Sequence, residues 1–189
     1  VTDEAQPPAI SVLVGQAAAQ VLQEYGEQAA AAVPNLANLL QDATADVRSA
    51  AAGALGAIGD QAKSALPDLI KVAGNENDRD AFLRTVTAVA DLSSKADTLP
   101  LLRQALARDN SNIHGAVCDI LSSYQGVPGA VDLLIMAIKD QDYYVRSNAY
   151  SSLADLGSEA SPALPLLTQI AQKTTEYREY EDILRAIGA

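Results

Sequence analysis

The feature that most constrains this chain is a recurrence of about 33 residues. Gly26 and Gly59 stand 33 apart, as do Pro34 and Pro67. Leu22 returns as Leu55, Ala18-Ala19 as Ala51-Ala52, and Gln28-Ala29 as Gln61-Ala62. A more distant copy is equally clear. Asp42, Val47, Arg48, Ser49, Ala51, Leu55, Ile58, Gly59 and Pro67 reappear as Asp140, Val145, Arg146, Ser147, Ala149, Leu153, Leu156, Gly157 and Pro165, each 98 residues on. That is three periods of slightly under 33. Self-similarity at this length belongs to stacked arrays, where no single unit can bury its apolar face and neighbours bury it together.

The best-preserved unit, residues 42–73, shows what is being stacked. Val47, Ala51, Leu55 and Ile58 share one face of a helix. Gly59 can end that helix, and Asp60 can cap the next. Pro67 belongs near the start of the second helix, where a proline is tolerated. The unit is therefore two short helices, each too short to be stable alone in water. Alanine supplies much of the 49% hydrophobic content, and aromatics are only 4%. Many small contacts must then hold the array together.

In chain order, residues 1–8 read as a polar lead-in, and residues 9–189 as a single repeat domain with about eleven helices, five pairs plus one. A first helix is expected over residues 9–25, and the units that follow start near Glu27, Asp60, Ser94, Gly126 and Ser158. No sustained alternation or hairpin turn signals a strand. At the position of Arg48 and Arg146 the third unit carries Phe82 and the fourth His114, and the fourth also lacks the closing glycine at Gln125.

The pattern Asp-x-x-x-x-Val-Arg-x-x-Ala-x-x-Ala-Leu-Gly-x-Ile-Gly, Asp42 to Gly59, resembles the HEAT repeat. Its short Ala- and Gly-rich form is similar to the HEAT-like repeats named from phycobilisome pigment lyases. The resemblance implies an all-α fold, a right-handed α-solenoid of antiparallel helix pairs whose second helices line the concave face. It also implies a ladder in which the turn Asp and helix Arg link neighbouring repeats. Asp42 with Arg48 and Asp140 with Arg146 fit that ladder, His114 is expected to act within it as a donor, and Arg178 to continue it. Such repeats serve many unrelated roles.

The net charge of −11 and pI near 4.3 argue against nucleic acid and anionic membranes, which recruit basic surfaces. No apolar run is long enough for membrane insertion. Cys118 is the only cysteine, so no internal disulfide forms and no cysteine-based metal site is available. His114 and Cys118, four apart, would give a metal two ligands where structural zinc needs four. The turn Asn75 to Asp80 lacks the central glycine and closing glutamate of a calcium loop, so its side chains are expected to cap helices. No metal and no cofactor are expected, and a lone histidine without a nucleophile does not suggest an enzyme.

The tyrosines are uneven. Tyr143, Tyr144, Tyr150, Tyr177 and Tyr180, five of seven, lie in the last third. Tyr143, Tyr144, Tyr150 and Tyr180 are the candidate partner-binding residues, since tyrosine combines a large apolar ring with a polar tip. Tyr177 aligns with Val145 and is expected in the core. The leading expectation is a monomeric, non-enzymatic scaffold that binds a protein or peptide through its concave face. A bilin lyase-like subunit and a structural spacer within a longer polypeptide are the rivals. The compartment stays open between the cytoplasm and export after loss of an N-terminal signal.

Overall fold

The computed structural model describes residues 30–188. The expected lead-in and first helix lie outside the described residues. Among the described residues every regular element is helical, and there are ten α-helical segments, the first of the eleven expected for the chain falling outside them. The chain divides into two compact units between Ser94 and Lys95.

The first unit holds α1 (Val33–Leu39), α2 (Ala45–Ile58), α3 (Leu66–Asn75) and α4 (Arg79–Leu92). The second holds α5 (Lys95–Leu106), α6 (Ser111–Leu121), α7 (Ala130–Ala137), α8 (Tyr143–Leu156), α9 (Leu164–Ala171) and α10 (Tyr177–Gly188). Consecutive helices pack as hairpins, and the second helices of successive hairpins also pack on one another within each unit.

The turns follow from a few residues. Gly59 and Gly157 take φ values of +72° and +57° and close α2 and α8, a conformation that strains other L-residues. The chain then runs through 3-10 turns, Gly59–Ala65 and Gly157–Ala163, before α3 and α9 begin. Asp60 is thus not the cap of α3. It sits inside the 3-10 turn and pairs with Lys63 at 2.9 Å, while Pro67 occupies the first turn of α3. Proline lacks the N–H that a helix interior needs, so the α-helix starts where Pro67 permits it.

The core of each unit is the row predicted by the repeat. Val47, Ala51, Leu55 and Ile58 in α2 are buried, and so are Val145, Ala149, Leu153 and Leu156 in α8. The layers differ in thickness. A Cβ placed on Gly56 would lie 3.2 Å from the Ala88 Cα, so α2 and α4 meet nearly backbone to backbone. Between α8 and α10 the filling residue is Tyr150, fully buried at 0% exposure.

Candidate functional site

The second helices carry a repeated polar device at one end. Its donor is the fourth residue after the N-cap. In α2 that residue is Arg48. Its Nη1 donates to the carbonyls of Asp42 and Ala43, at 2.9 and 3.0 Å, in the turn just before the helix. Its Nε and Nη2 donate to the two oxygens of Glu76, both at 2.7 Å, in the turn before α4. The second unit repeats this. Arg146 Nη1 donates to the carbonyls of Asp140 and Gln141, at 3.0 and 2.9 Å, and its Nε and Nη2 reach Glu179 at 2.6 and 3.3 Å. A planar guanidinium suits a carboxylate on one side and carbonyls on the other.

The acidic partners differ from those the resemblance implies. Arg48 meets only the backbone of Asp42, because the Asp42 carboxylate is turned to the N–H of Thr44 at 2.8 Å. Asp140 likewise gives Arg146 its backbone carbonyl, while its carboxylate binds the N–H of Asp142 and the ring of His114. His114 spans the same two turns as an arginine would, with Nδ1 2.6 Å from Asp140 Oδ2 and Nε2 2.6 Å from the Arg108 carbonyl. Phe82 takes the donor position in α4 and is fully buried. Arg178 is exposed; its neighbour Glu179 is the buried residue that meets the device.

That correction comes from register. The helix α10 begins at Tyr177, and Glu179, Ile183 and Ala186 face the core, the rows held in α8 by Val145, Ala149 and Ser152. The offset is 34, two more than the alignment that put Tyr177 beside Val145. Tyr177 is therefore not core. It is 71% exposed and its hydroxyl is paired with Glu181.

Glu76 and Glu179 are the site residues that sequence reading missed. Burial alone would push the Glu76 carboxyl up, but the Arg48 guanidinium and the N–H groups of Asp78 and Asn77 hold it below the usual range. The Arg146 guanidinium holds Glu179 low against burial, helped by the Tyr150 and Thr174 hydroxyls. The signal that could have found them is chemical. An arginine fixed at a half-buried helix start needs an acid about one period later.

The tyrosines separate into three kinds. Tyr150 is buried and donates to Glu179 Oε1 at 3.0 Å; burial, then the Glu179 charge, raises its phenol above the usual range. It is unavailable to a partner. Tyr143 is half-buried, donates to Asp182 Oδ2 at 3.1 Å and lies beside Tyr144, ring centroids 5.7 Å apart. Tyr144 and Tyr180 are open, at 77% and 41%. Leu184 on α10 is exposed as well, so four of the seven exposed large hydrophobic residues among the described residues sit on the packed pair α8 and α10.

The remaining candidates have structural employment. Cys118 is buried with its Sγ 3.9 Å from the Val145 carbonyl, and burial, with Asp119 and Asp140 nearby, pushes its thiol up to about 12. Such a thiol is inert as a nucleophile at neutral pH. Asp78 caps α4 through the N–H groups of Asp80 and Ala81. Among the described residues no group of three or more His, Cys, Asp or Glu could hold a metal ion, and no helix is long and apolar enough to cross a membrane. Among the described residues, one cleft of about 310 Å³ borders the Arg48–Glu76 pair, one of about 140 Å³ lies over Gly53 and Gly56, and one of about 340 Å³ lies between Val127, Pro128 and Pro162, each open to solvent.

Comparison with known proteins gives consistent results. The sequence model of HEAT repeats matches residues 11–90 and 99–188. A computationally designed armadillo repeat protein for modular peptide recognition aligns with a TM-score of 0.52 at 17% identity, covering 93% of this chain and 91% of its own. A designed armadillo repeat protein in complex with the peptide (KR)4 aligns with a TM-score of 0.53 at 16% identity, covering 97% and 95%. The complex of CpcE and CpcF of phycocyanin lyase from Nostoc sp. PCC7120 aligns with a TM-score of 0.47 at 19% identity, covering 100% of this chain and 76% of that one. No curated protein sequence matches the chain.

Proposed function

This chain belongs to the HEAT-repeat family, and from that premise we propose that it is a non-enzymatic scaffold that binds a protein or peptide on the open face of α8 and α10. The observation that carries the reading is the exposure of Tyr144 and Tyr180 on a helix pair joined by buried and half-buried bonds. Rigid aromatic side chains on a rigid support bind at low entropic cost. Tyr143 contributes its ring edge beside Tyr144, and Tyr150 supports the surface from beneath without touching the partner. The designed armadillo relatives that recognise peptides use the same kind of fold, which makes peptide recognition chemically available to this one.

The non-catalytic part of the proposal rests on what the polar groups already do. Cys118 is buried, and His114, Arg48, Arg146, Glu76 and Glu179 are committed to bridges between turns. The test is affinity capture from the source organism's lysate and envelope fractions with the unaltered chain and with Y144A/Y180A. Both side chains are exposed, so stability should change by no more than about 0.5 kcal/mol per site. A partner held by the unaltered chain and lost by the double variant supports the proposal. A verified partner held equally by both overturns the assigned face.

A further inference from the structure

The helix α8 binds α10 through Tyr143, Arg146, Ser147 and Tyr150. Tyr143 and Ser147 donate to Asp182, and Arg146 and Tyr150 donate to Glu179. The offset of 34 that superposes the buried rows of the two helices carries these donors onto Tyr177, Tyr180, Glu181 and Leu184 of α10. The backbone keeps the same register. The Arg146 N–H donates to the Asp142 carbonyl at 3.2 Å, and the Tyr180 N–H to the Glu176 carbonyl at 3.0 Å. Burial does not follow. Tyr150 is 0% exposed and its counterpart Leu184 47%, while Tyr177, Tyr180 and Glu181 are open. The outer side of α10 therefore repeats the contact face of α8, position for position, and leaves it exposed.

The chemistry of that face has changed. Where α8 presents donors and a cation to two acids, α10 presents two phenol rings, a leucine and one acid, with the Tyr177 hydroxyl paired to Glu181. We propose that the outer face of α10 binds an amphipathic helix of a partner protein, seated on α10 as α10 is seated on α8. The inference rests on the reading that the partner sits on α8 and α10, and it names what the partner brings. Tyr177, Tyr180 and Leu184, spaced three and four apart, make one stripe that takes apolar side chains. Glu181 takes a Lys or Arg in place of the acid that α10 offers to α8. A second copy of this chain carries a net charge of −11 to the same acidic face, so self-association is disfavoured.

The sequence of α10 supplies the probe, because its inner face fits a face of this kind. Two synthetic peptides of residues 174–188 are compared, one with E179Q and one with E179Q/D182K. E179Q removes an acid that finds no arginine opposite it on α10. Each peptide is titrated into the ¹⁵N-labelled full-length chain. The lysine peptide should shift the amides of Tyr177, Tyr180, Glu181 and Leu184 saturably, and bind at least about tenfold more tightly than the peptide that keeps Asp182. In the E181K chain the preference should reverse. Glu181 is exposed, so that variant keeps the fold. Adding I183P to the lysine peptide breaks its helix and should abolish binding. Equal affinity of the two peptides, no shift on α10, or undiminished binding of the I183P peptide overturns the proposal. Any of these beside a partner captured by the unaltered chain and lost by Y144A/Y180A removes the helix and leaves the face standing. A verified partner held equally by Y144A/Y180A removes both.

Discussion

The helix pairs α2/α4 and α8/α10 use one motif to make two different layers. Both are joined by an arginine that reads two carbonyls behind it and a glutamate ahead of it. Behind that shared bond the layers diverge. In the first pair, Ala52 and Gly56 let the helices close until backbone meets backbone. In the second, Tyr150 stands where Ala52 would be, 98 residues on, and both are buried to 0% exposure. The wide layer then needs its phenol satisfied, and Glu179 accepts from it. Tyr143 and Ser147 extend the same solution by donating to Asp182 at 3.1 and 2.7 Å. A repeat therefore fixes the bond at its turn more tightly than the distance between its helices. That distance is left to the size of one or two side chains.

The strongest way to break this contrast is to exchange the filling residues. Y150A should cost about 3–5 kcal/mol, because it empties a closed layer and removes a donor from Glu179. The reverse change, A52Y, has no layer to enter and should cost at least about 1–3 kcal/mol through overpacking. Urea denaturation of both variants measures this. A52Y at the stability of the unaltered chain would show that the two layers are interchangeable.

The arginines come next. R146L leaves Glu179 facing the core with only hydroxyl donors, and R48L leaves Glu76 with two backbone N–H groups. Each should cost about 2–3 kcal/mol, below the full cost of breaking a buried pair because both guanidinium groups keep some contact with water. The acid limb follows with a definite sign. Both carboxyls are held below their usual range, so their contribution is present above about pH 4.3, where an unfolded glutamate ionises, and is lost as pH falls through the lower folded values. In either arginine variant that acid loss should flatten.

G56A tests the close layer directly. The added methyl would sit 3.2 Å from the Ala88 Cα and from Asp91 Oδ2. The side chain of Asp91 can move but the backbone of α4 cannot do so cheaply. The helix-propensity gain of alanine over glycine is about 1 kcal/mol, and the overpacking cost is typically about 1–3. Net destabilisation of roughly 1 kcal/mol is expected in thermal unfolding. A gain in stability would mean that α2 and α4 can move apart.

The contrast also explains what could be read in advance. Periodicity carried the helices, because Val47, Ala51, Leu55 and Ile58 and their copies must all meet one core. The donors at Arg48, His114 and Arg146 were legible because they hold a fixed place after each N-cap. The acids of the two arginines were not, because Glu76 sits in the turn before α4 and Glu179 in the first turn of α10, each placed by a turn of different length, and a turn does not keep register. That drift displaced the last helix by two residues, which sent Tyr177 outward and put Glu179 inward. Tyr150 follows Tyr143 by seven residues, the spacing of one helix flank, but the wide layer before α10 drew it in while Tyr143 stayed half-buried. A spacing along one helix says nothing of how far away the next helix lies.

Y150F separates the two services that Tyr150 performs. The ring stays, so the layer remains filled, and only the bond to Glu179 is lost. A neutral hydrogen bond contributes about 0.5–1.5 kcal/mol, and one to a charged acceptor about 1.5–3. Arg146 and Thr174 still hold the carboxylate, so the lower part of that combined range, about 1 kcal/mol, is expected at pH 7. The more telling readout is acid unfolding. Tyr150 helps to hold the Glu179 carboxyl low, so without the hydroxyl that carboxyl should take up its proton at a higher pH. The acid loss of stability should therefore be smaller in Y150F than in the unaltered chain, and should be complete at a higher pH. An unshifted acid limb would leave Tyr150 with a volume to fill and no charge to serve. The wide layer would then differ from the narrow one in size alone.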